Sequence, residues 1–161
     1  MGNTGGNAQK DGTKLAVQNR RARHDYHLED PVEAGLVLVG TEVKSLRSGQ
    51  GSLAEAWVRI ADGEAWLMQC HIPEYEYGNR NNHDPVRPRK LLLHRGQIRR
   101  LGSQAAQQQA VIVPTRIYFR DGRAKVEVAL AKSKNKADRR QDLKERQARR
   151  DVDRALKERN R

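Results

Sequence analysis

The side chains that could carry acid–base or metal chemistry are scattered along this sequence rather than grouped. Its five histidines are His24, His27, His71, His83 and His94. None lies at a spacing typical of a metal site or beside a nucleophile, which favours surface or structural roles. Glu29, Asp30 and Glu33 could pair as catalytic carboxylates, but nothing around them indicates a substrate cleft. Gly49 and Gly51 form no phosphate-binding loop pattern. We therefore predict that the protein is not an enzyme and has no metal site or cofactor.

The net charge of +12 over 161 residues lies mainly at the two ends of the chain. Residues 132–161 carry 13 Lys/Arg against 6 Asp/Glu, and residues 1–25 carry 5 against 2. The middle is nearly balanced, with 14 against 12, and it contains all seven aromatic residues. We interpret the middle as a folded body and the ends as cationic arms. This charge favours phosphate-rich partners such as nucleic acid.

Three segments follow from composition. Residues 1–18 begin rich in Gly and Asn without apolar periodicity, which predicts a disordered leader. Residues 19–131 are predicted to form one folded domain, and residues 132–161 a basic tail. Cys70 is the only cysteine, so no intrachain disulfide forms, as is typical of a reducing cytoplasm. No run approaches the roughly 18 apolar residues of a membrane span, and the prediction is a cytoplasmic protein without a membrane partner.

Two dipeptides predict β-hairpins in the body. Asp62-Gly63 separates two runs of strand-forming residues, and Asp121-Gly122 separates two more. Asp-Gly tolerates the positive φ angles that a type I′ turn requires. A further strand is predicted over His27–Val39, with a bend or bulge at Gly35.

Two short helices are predicted between the strands. The first covers residues 42–47 with Thr41 as its N-cap, and Lys44 and Arg47 on its outward face. The second covers about residues 97–108. Many short strands, hairpin turns and scattered helices favour a closed antiparallel barrel over a sandwich.

The tail has helix-forming composition but little to bury. Residues 138–159 contain no Gly or Pro, and Asp142/Arg146 and Glu145/Arg149 are opposite charges at i,i+4. Like charges at the same spacing oppose them, and the apolar stripe is thin. We expect a frayed coil in the free protein that becomes helical against a polyanion.

The stretch from Glu74 to Lys90 is long, lacks a regular period, and mixes Asn, Arg and Tyr. These residue types bind RNA sugars, bases and phosphates, but the same composition is typical of a solvated loop. Both interpretations stay open. Composition therefore indicates a basic barrel that binds RNA and goes no further.

Several blocks of the sequence occur together in one protein family. They are Asn19-Arg-Arg-Ala-Arg-His-Asp-Tyr26, Glu33-Ala-Gly35, Gly40-Thr-Glu-Val-Lys-Ser-Leu-Arg47, Gly63-Glu-Ala-Trp-Leu67, Asp84-Pro-Val-Arg-Pro-Arg-Lys-Leu-Leu-Leu93 and Lys144-Glu-Arg146. In this order and spacing, from about residue 19 to 159, the chain resembles the small protein B (SmpB) family, the SsrA-binding proteins of bacteria.

That resemblance implies a mainly β fold, an oligonucleotide-binding (OB) type closed barrel of six antiparallel strands, with a tail that is helical when bound. It implies an adaptor that binds the tRNA-like domain of transfer-messenger RNA (tmRNA), as a monomer per RNA. The alanyl-tmRNA complex, with an elongation GTPase, enters stalled ribosomes during trans-translation. The tail then follows the empty mRNA channel beyond the decoding centre of the small subunit. The alternative is a general basic OB-type RNA-binding or ribosome-assembly protein.

The resemblance also implies roles for particular residues. Tyr26, Glu33 and Leu92 are associated with tmRNA binding, and Asp138-Arg139-Arg140 correspond to an Asp-Lys-Arg element of the tail. Tyr26 could stack on an unstacked nucleotide, whereas Leu92 could pack on a ribose or in the core. Glu33 repels phosphate, so it is expected to accept a hydrogen bond from a base edge, a 2′-OH or a neighbouring Arg.

The complete predicted RNA-binding set is Arg20, Arg21, Arg23, His24, Tyr26, Glu33, Lys44, Arg47, Arg89, Lys90, Leu92, His94 and Lys125. The predicted ribosome-binding residues of the tail are Lys132, Lys134, Lys136, Asp138, Arg139, Arg140, Lys144 and Arg146. Two positions depart from the family pattern just before the Asp-Lys-Arg element. Ser133 replaces a Gly, and Ala137 stands where the family has a His or Tyr, which removes a possible stacking contact in the decoding centre.

Overall fold

The computed structural model describes residues 12–78, 82–134 and 136–159, with residues 136–139 described by their backbone alone. Its strands are β1 (Thr13–Gln18), β2 (Tyr26–Leu36), β3 (Trp57–Ala61), β4 (Glu64–Met68), β5 (Arg89–Leu92), β6 (Val111–Arg120) and β7 (Arg123–Ser133). Its helices are α1 (Arg20–Asp25), α2 (Gly40–Arg47), α3 (Arg95–Gln108) and α4 (Lys136–Arg159). The fold is mainly β, as predicted.

The strands form one antiparallel sheet in the order β1-β6-β3-β4-β5-β2-β7, and β7 also pairs with β6. Strand β6 therefore has β7 on one edge and both β1 and β3 on the other. The pairings run in a cycle through six strands, and β1 is an additional seventh. The sequence prediction counted six strands and did not include β1.

Both predicted hairpins are confirmed. Strands β3 and β4 flank Asp62 (φ 53°) and Gly63 (φ 73°), and β6 and β7 flank Asp121 (φ 50°) and Gly122 (φ 79°). Positive φ at both central residues is the requirement of a type I′ turn, whose twist matches that of the flanking strands.

The core lies inside this sheet. In β7, Val126, Val128 and Leu130 are buried, whereas Lys125 and Glu127 on the alternate positions are half-buried on the outer face. This period of two was predicted, because successive strand residues point to opposite faces. Fully burying one such aliphatic side chain stabilises the fold by about 1.5–3 kcal/mol.

The predicted disordered leader is wrong for Thr13–Gln18. These residues form β1, which pairs with β6 from Arg120 to Arg116, and Val17 is buried in the core. The partner strand satisfies the backbone hydrogen bonds, which local composition could not reveal. Residues 1–11 lie outside the described residues.

Strand β2 bends at Asp30-Pro31, not at Gly35 as predicted. The pairing with β7 shifts register between Glu29 and Val32, and Asp30 has a φ of 52°. Pro31 has no N–H to donate, so the ladder is interrupted there. The strand also ends at Leu36 rather than Val39.

Helix α2 begins at Gly40, two residues before its predicted start, and Thr41 is not its N-cap. The Thr41 hydroxyl instead lies 2.8 Å from Nδ1 of His83. The Glu42 carboxylate accepts a hydrogen bond from the Val39 N–H at 2.9 Å and so satisfies a free donor at the helix start. Helix α3 also begins two residues earlier than predicted, where the Gln97 side chain accepts from the His94 N–H at 3.1 Å.

The tail begins later than predicted and is ordered in this structure. Strand β7 runs to Ser133, so the predicted boundary at residue 132 falls inside a strand. Residues 136–159 form the continuous helix α4, not the expected frayed coil. Lys134 anchors its start, because its amino group contacts the Asp142 carboxylate and the Arg23 carbonyl, and its N–H donates to the Asp25 carbonyl at 3.0 Å. Side chains from Leu143 to Arg159 are exposed. Within the three described ranges, no helix is both long and apolar enough to span a membrane.

Candidate nucleic-acid interface

A cleft of about 590 Å³ opens on the outer face of the sheet, beside the start of α3. It brings together five of the predicted RNA-binding residues: Glu33, Lys90, Leu92, His94 and Lys125. These residues come from β2, β5, β7 and the residue before α3, so only the folded sheet assembles them. We call this site the main cleft.

Gly35 forms the floor of the main cleft. It pairs with Leu92 on β5 and with Lys125 on β7, so these three residues form one row across the sheet. A Cβ atom at Gly35 would lie 3.0 Å from the Leu92 Cβ and 3.3 Å from its Cδ1. Leu92 was predicted to pack either on a ribose or in the core. Its side chain is 56% exposed, so it lies on the surface and not in the core.

Substituting Gly35 with Ala is expected to lower RNA affinity several-fold without unfolding the protein. The new methyl group fills the cleft floor and forces Leu92 to shift by a few tenths of an ångström, while the backbone conformation suits any residue. Titration of structured RNA with both proteins measures the effect. The matched control is Gly40→Ala, because nothing lies within 4 Å of a Cβ at that position. Equal losses from both substitutions would contradict the assignment of the cleft.

Three cations, Lys90, Arg95 and Lys125, line the main cleft. The Lys90 amino group lies 3.2 Å from the Glu64 carboxylate, which also lines the cleft. His94 and Arg95 are exposed at the N-terminus of the 14-residue helix α3, where the helix dipole also favours anions. Arg95 was not among the predicted site residues. Its position directly after His94 at a helix start was the signal for it.

Glu33 is engaged within the protein. Its carboxylate accepts a hydrogen bond from the Tyr118 hydroxyl and lies 2.7 Å from Nη1 of Arg120. Burial of the phenol, and then its hydrogen bond to Glu33, raise the Tyr118 pKa above its usual value. Glu33 was predicted to accept a hydrogen bond from a base edge, a 2′-OH or a neighbouring Arg. In this structure the partner is a neighbouring Arg, Arg120.

Tyr26 lies in a second cleft, of about 290 Å³, between α1 and the chain that enters β3. Arg21, Trp57 and Val111 also line it. Trp57 is 41% exposed and was not predicted as a site residue, although an exposed Trp beside a Tyr is a common stacking surface. Tyr26 begins β2, Glu33 lies beyond the bend in that strand, and the two residues line different clefts.

The other predicted RNA-binding residues on helices α1 and α2 are on the surface. Arg20, Arg23 and His24 are exposed on α1, and His24 Nδ1 lies 2.9 Å from the Asp25 carboxylate. Lys44 and Arg47 share the outward face of α2, as predicted. The Lys44 amino group lies 5.6 Å from the Tyr75 ring centroid, and the Arg47 guanidinium lies 4.5 Å from that of Phe119. Arg20, Arg23, Lys44 and Arg47 are available to phosphate but lie outside the linings of both clefts.

Arg89 was predicted to bind RNA, and this prediction is wrong. Its side chain is fully buried, where it pairs with the buried carboxylate of Glu42 and donates to the carbonyls of Cys70 and Pro85. On β5, Arg89 and Leu91 point inward, whereas Lys90 and Leu92 point outward. Because neighbours on a strand face opposite sides, Arg89 and Lys90 could not both reach the same RNA.

The predicted tail residues are in three different situations. Lys132 is half-buried at the end of β7, and Lys134 is buried in its pair with Asp142, so it is not a free cation for phosphate. Arg140, Lys144 and Arg146 are exposed on α4. The side chains of Lys136, Asp138 and Arg139 lie outside the described residues.

Most of the loop before β5 lies within the described residues. The side-chain amide of Asn82 forms two hydrogen bonds with the backbone of Tyr75. It accepts from the Tyr75 N–H at 3.0 Å and donates to the Tyr75 carbonyl at 2.8 Å. Tyr77 is exposed, with its ring edge-on to that of Tyr75. Residues 79–81 are outside the described part of the chain.

Among the described residues, no three His, Cys, Asp or Glu side chains are close enough to hold a metal ion. Cys70 is buried, and burial raises the pKa of its thiol to about 11, which disfavours the reactive thiolate.

An antiparallel sheet with cation-lined clefts on its outer face, and a basic helix beyond it, is typical of β proteins that bind nucleic acid. Comparisons with known proteins are specific. The sequence profile of the family described as "SmpB protein" matches residues 16–158. This chain belongs to the SmpB family.

Individual relatives agree with this assignment. The chain is 55% identical to the SsrA-binding protein of Thermobifida fusca over 148 residues, which cover 92% of each protein. It is 54% identical to that of Acidothermus cellulolyticus, covering 92% of this chain and 94% of the relative. A solved chain from "tmRNA-SmpB: a journey to the center of the bacterial ribosome" superposes with a TM-score of 0.66 at 42% identity, covering 81% of this chain and 95% of that one.

Proposed function

We propose that this protein is an RNA-binding adaptor for ribosome rescue. Its body binds the tRNA-like domain of tmRNA and delivers it to stalled ribosomes for trans-translation. Membership of the SmpB family and the names of its relatives support this function. The structural observation that carries it is the convergence of Glu33, Lys90, Leu92, His94 and Lys125 around the main cleft.

The finer architecture belongs to the same proposal. The cycle of pairings through β6, β3, β4, β5, β2 and β7 supports an OB-type closed barrel, with β1 added at an edge of β6. Residues 12–134 serve as the RNA-binding body, and the exposed, basic helix α4 serves as the tail in the mRNA channel near the decoding centre. The protein acts in the cytoplasm, as one monomer per RNA, and not as an enzyme. The alanyl-tmRNA complex arrives with an elongation GTPase.

The two clefts explain how such a body recognises RNA by its shape. Tyr26 and Glu33 are seven residues apart on β2, which at about 3.3 Å per residue separates them by at most about 23 Å, since the strand bends at Asp30-Pro31 between them. In the main cleft, Lys90 and Lys125 contact phosphates, which position the RNA without reading sequence, and Leu92 packs on a ribose or base. In the second cleft, Tyr26 stacks on an unpaired nucleotide. An RNA must satisfy both sites at this spacing.

A competition experiment at fixed salt tests the function. Labelled tmRNA is bound to the full-length protein and displaced by unlabelled tmRNA, by a tRNA or by a ribosomal RNA fragment of equal length. We expect tmRNA to compete at least tenfold better than the ribosomal fragment, because phosphate contacts alone do not discriminate. Equal competition would instead identify a general basic RNA-binding or ribosome-assembly protein.

A further inference from the structure

Arg120 was not among the predicted RNA-binding residues, yet the structure holds it beside the main cleft. We propose that Arg120 is a phosphate-binding residue of the RNA interface, and that Glu33 is a positioning residue that acts through it. On this assignment the Glu33 carboxylate does not touch the RNA. The inference rests on the proposed function and deepens it.

Arg120 is fixed by three different contacts. Its Nη1 lies 2.7 Å from the Glu33 carboxylate, and its Nε lies 3.4 Å from the Thr13 hydroxyl. Its guanidinium carbon is 5.5 Å from the centroid of the Tyr118 ring, while that of Arg116 is 4.9 Å from the same ring. Glu33 also accepts from the Tyr118 hydroxyl, so one carboxylate holds both the ring and the guanidinium that lies over it.

The held guanidinium still has donors for an anion. Arginine carries five N–H groups, and the two polar contacts in the described chain use one on Nη1 and the one on Nε. The Arg120 side chain is 40% exposed. A fixed, half-exposed Arg loses little side-chain freedom when phosphate binds, which favours a bidentate contact.

Arg120 also lies where RNA in the main cleft would continue. A cleft of about 400 Å³ is lined by Glu33, Arg120, Asp121, Arg123 and Lys125, and it shares Glu33 and Lys125 with the main cleft. Three cations thus face two carboxylates, one of which is already paired with Arg120. With Lys90 and Arg95 of the main cleft, they place five cations along the two adjoining clefts. Among the described residues, no large apolar side chain lines this smaller cleft, which favours phosphate over an apolar partner surface.

The positioning role follows from the chemistry of Glu33. A carboxylate repels phosphate, and this one already has a hydroxyl and a guanidinium as partners. Removing it would leave the Tyr118 hydroxyl without its acceptor and would free Arg120 to rotate away. Loss of RNA affinity on mutation of Glu33 then arises from Arg120 and needs no direct contact.

A double-mutant cycle in the full-length protein separates the two roles. Affinity for tmRNA is measured across a salt series for the wild type, Glu33→Ala, Arg120→Ala and the double variant. We expect Arg120→Ala to weaken binding five- to tenfold and to reduce the salt slope by about 0.7–0.9, as for one lost phosphate contact. Glu33→Ala should weaken binding comparably alone, but less than twofold when Arg120 is already Ala.

Controls and contrary outcomes are defined by the same cycle. Arg149→Ala removes the same charge from an exposed position on α4 and should change affinity less than twofold. Urea unfolding of each variant identifies losses due to misfolding, and Arg120→Lys should keep the salt slope with weaker binding.

If Glu33→Ala lowers RNA affinity equally in the wild type and in Arg120→Ala, Glu33 contacts RNA directly and the positioning role is overturned. An unchanged affinity of Arg120→Ala would overturn the phosphate site. If the wild type does not prefer tmRNA, the proposed function fails, while the cycle is still decided with any RNA that binds.

Discussion

Ending the chain after Lys134 is expected to abolish peptide tagging on stalled ribosomes while leaving tmRNA affinity within about threefold of the wild type, less than 1 kcal/mol. All residues of the main cleft, and those of the second, come from residues 12–134. Side chains from Leu143 to Arg159 are exposed, so their removal takes nothing from the core. Among the described side chains, Asp142 contacts the body through Lys134, and the truncation removes that contact. The end point retains Lys132 and Ser133, which belong to β7, and the Lys134 N–H that bonds to Asp25.

The two halves of this prediction are measured separately. Gel-shift titration gives the tmRNA affinity, and an in vitro translation reaction on a message without a stop codon gives the tagging yield. The reciprocal variant is Leu92→Ala with Lys125→Ala, which keeps the tail and should lose tmRNA affinity at least tenfold. The truncation removes Asp142, the partner of Lys134, but also opens Lys134 to solvent, so the unfolding temperature should stay within about 5 °C of that of the full chain. Tagging by the truncated protein would show that the tail is not required and would contradict the division into body and tail.

What the sequence predicted well was governed by local rules. Asp62-Gly63 and Asp121-Gly122 predicted both hairpins, because positive φ at two adjacent residues is a property of a four-residue segment. Helix α3 was placed within two residues of its start, because a helix start also depends on a short local segment. The alternation along β7 predicted which of its side chains enter the core.

What the sequence did not predict depends on partners far away along the chain. Strand β1 was missed because Thr13 pairs with Arg120, more than one hundred residues later. The bend in β2 was assigned to Gly35, although that glycine serves the close approach of Leu92. Glycine permits both, and only the neighbouring strand shows which applies.

The candidate site was identified in the same uneven way. The resemblance to a family supplied Glu33 and Leu92, but not the row through Gly35 that joins Leu92 to Lys125. The contact of Glu33 with Arg120 is likewise invisible before folding. Arg89 was assigned to the surface from its charge, against the alternation that made it an inward residue of β5. Charge indicates the class of partner, whereas the position on a strand decides whether a side chain can reach it.

Removing the carboxylate of Glu42 is expected to be the most destabilising single change in the body. Glu42 and Arg89 are both fully buried and paired, and Glu42 also accepts from Nη2 of Arg87 at 2.5 Å and from the Val39 N–H at 2.9 Å. Glu42→Ala leaves the Arg89 charge buried without its partner, which costs about 3–5 kcal/mol of unfolding free energy. Urea titration followed by Trp fluorescence measures this loss. The control is Glu64→Gln, whose exposed pair with Lys90 should contribute less than about 1 kcal/mol.

The pH dependence of stability tests whether the Glu42 carboxylate is ionised in its buried pair with Arg89. Burial alone would raise the pKa of Glu42, but hydrogen bonds from Arg87, Val39 and Arg89 outweigh it and hold this pKa below its usual value. A carboxyl with a lowered pKa in the folded state stabilises the protein above its unfolded pKa and loses that contribution as the pH falls through its folded pKa. The wild type should therefore lose stability on acidification below about pH 4.5, the usual Glu range, and Glu42→Gln should show a shallower loss.

Joint replacement by Glu42→Leu and Arg89→Met should recover most of the stability lost in Glu42→Ala, since an apolar pair needs no compensating charge. A Glu42→Ala protein as stable as the wild type, with the same acid limb, would show that the pair does not join α2 to β5.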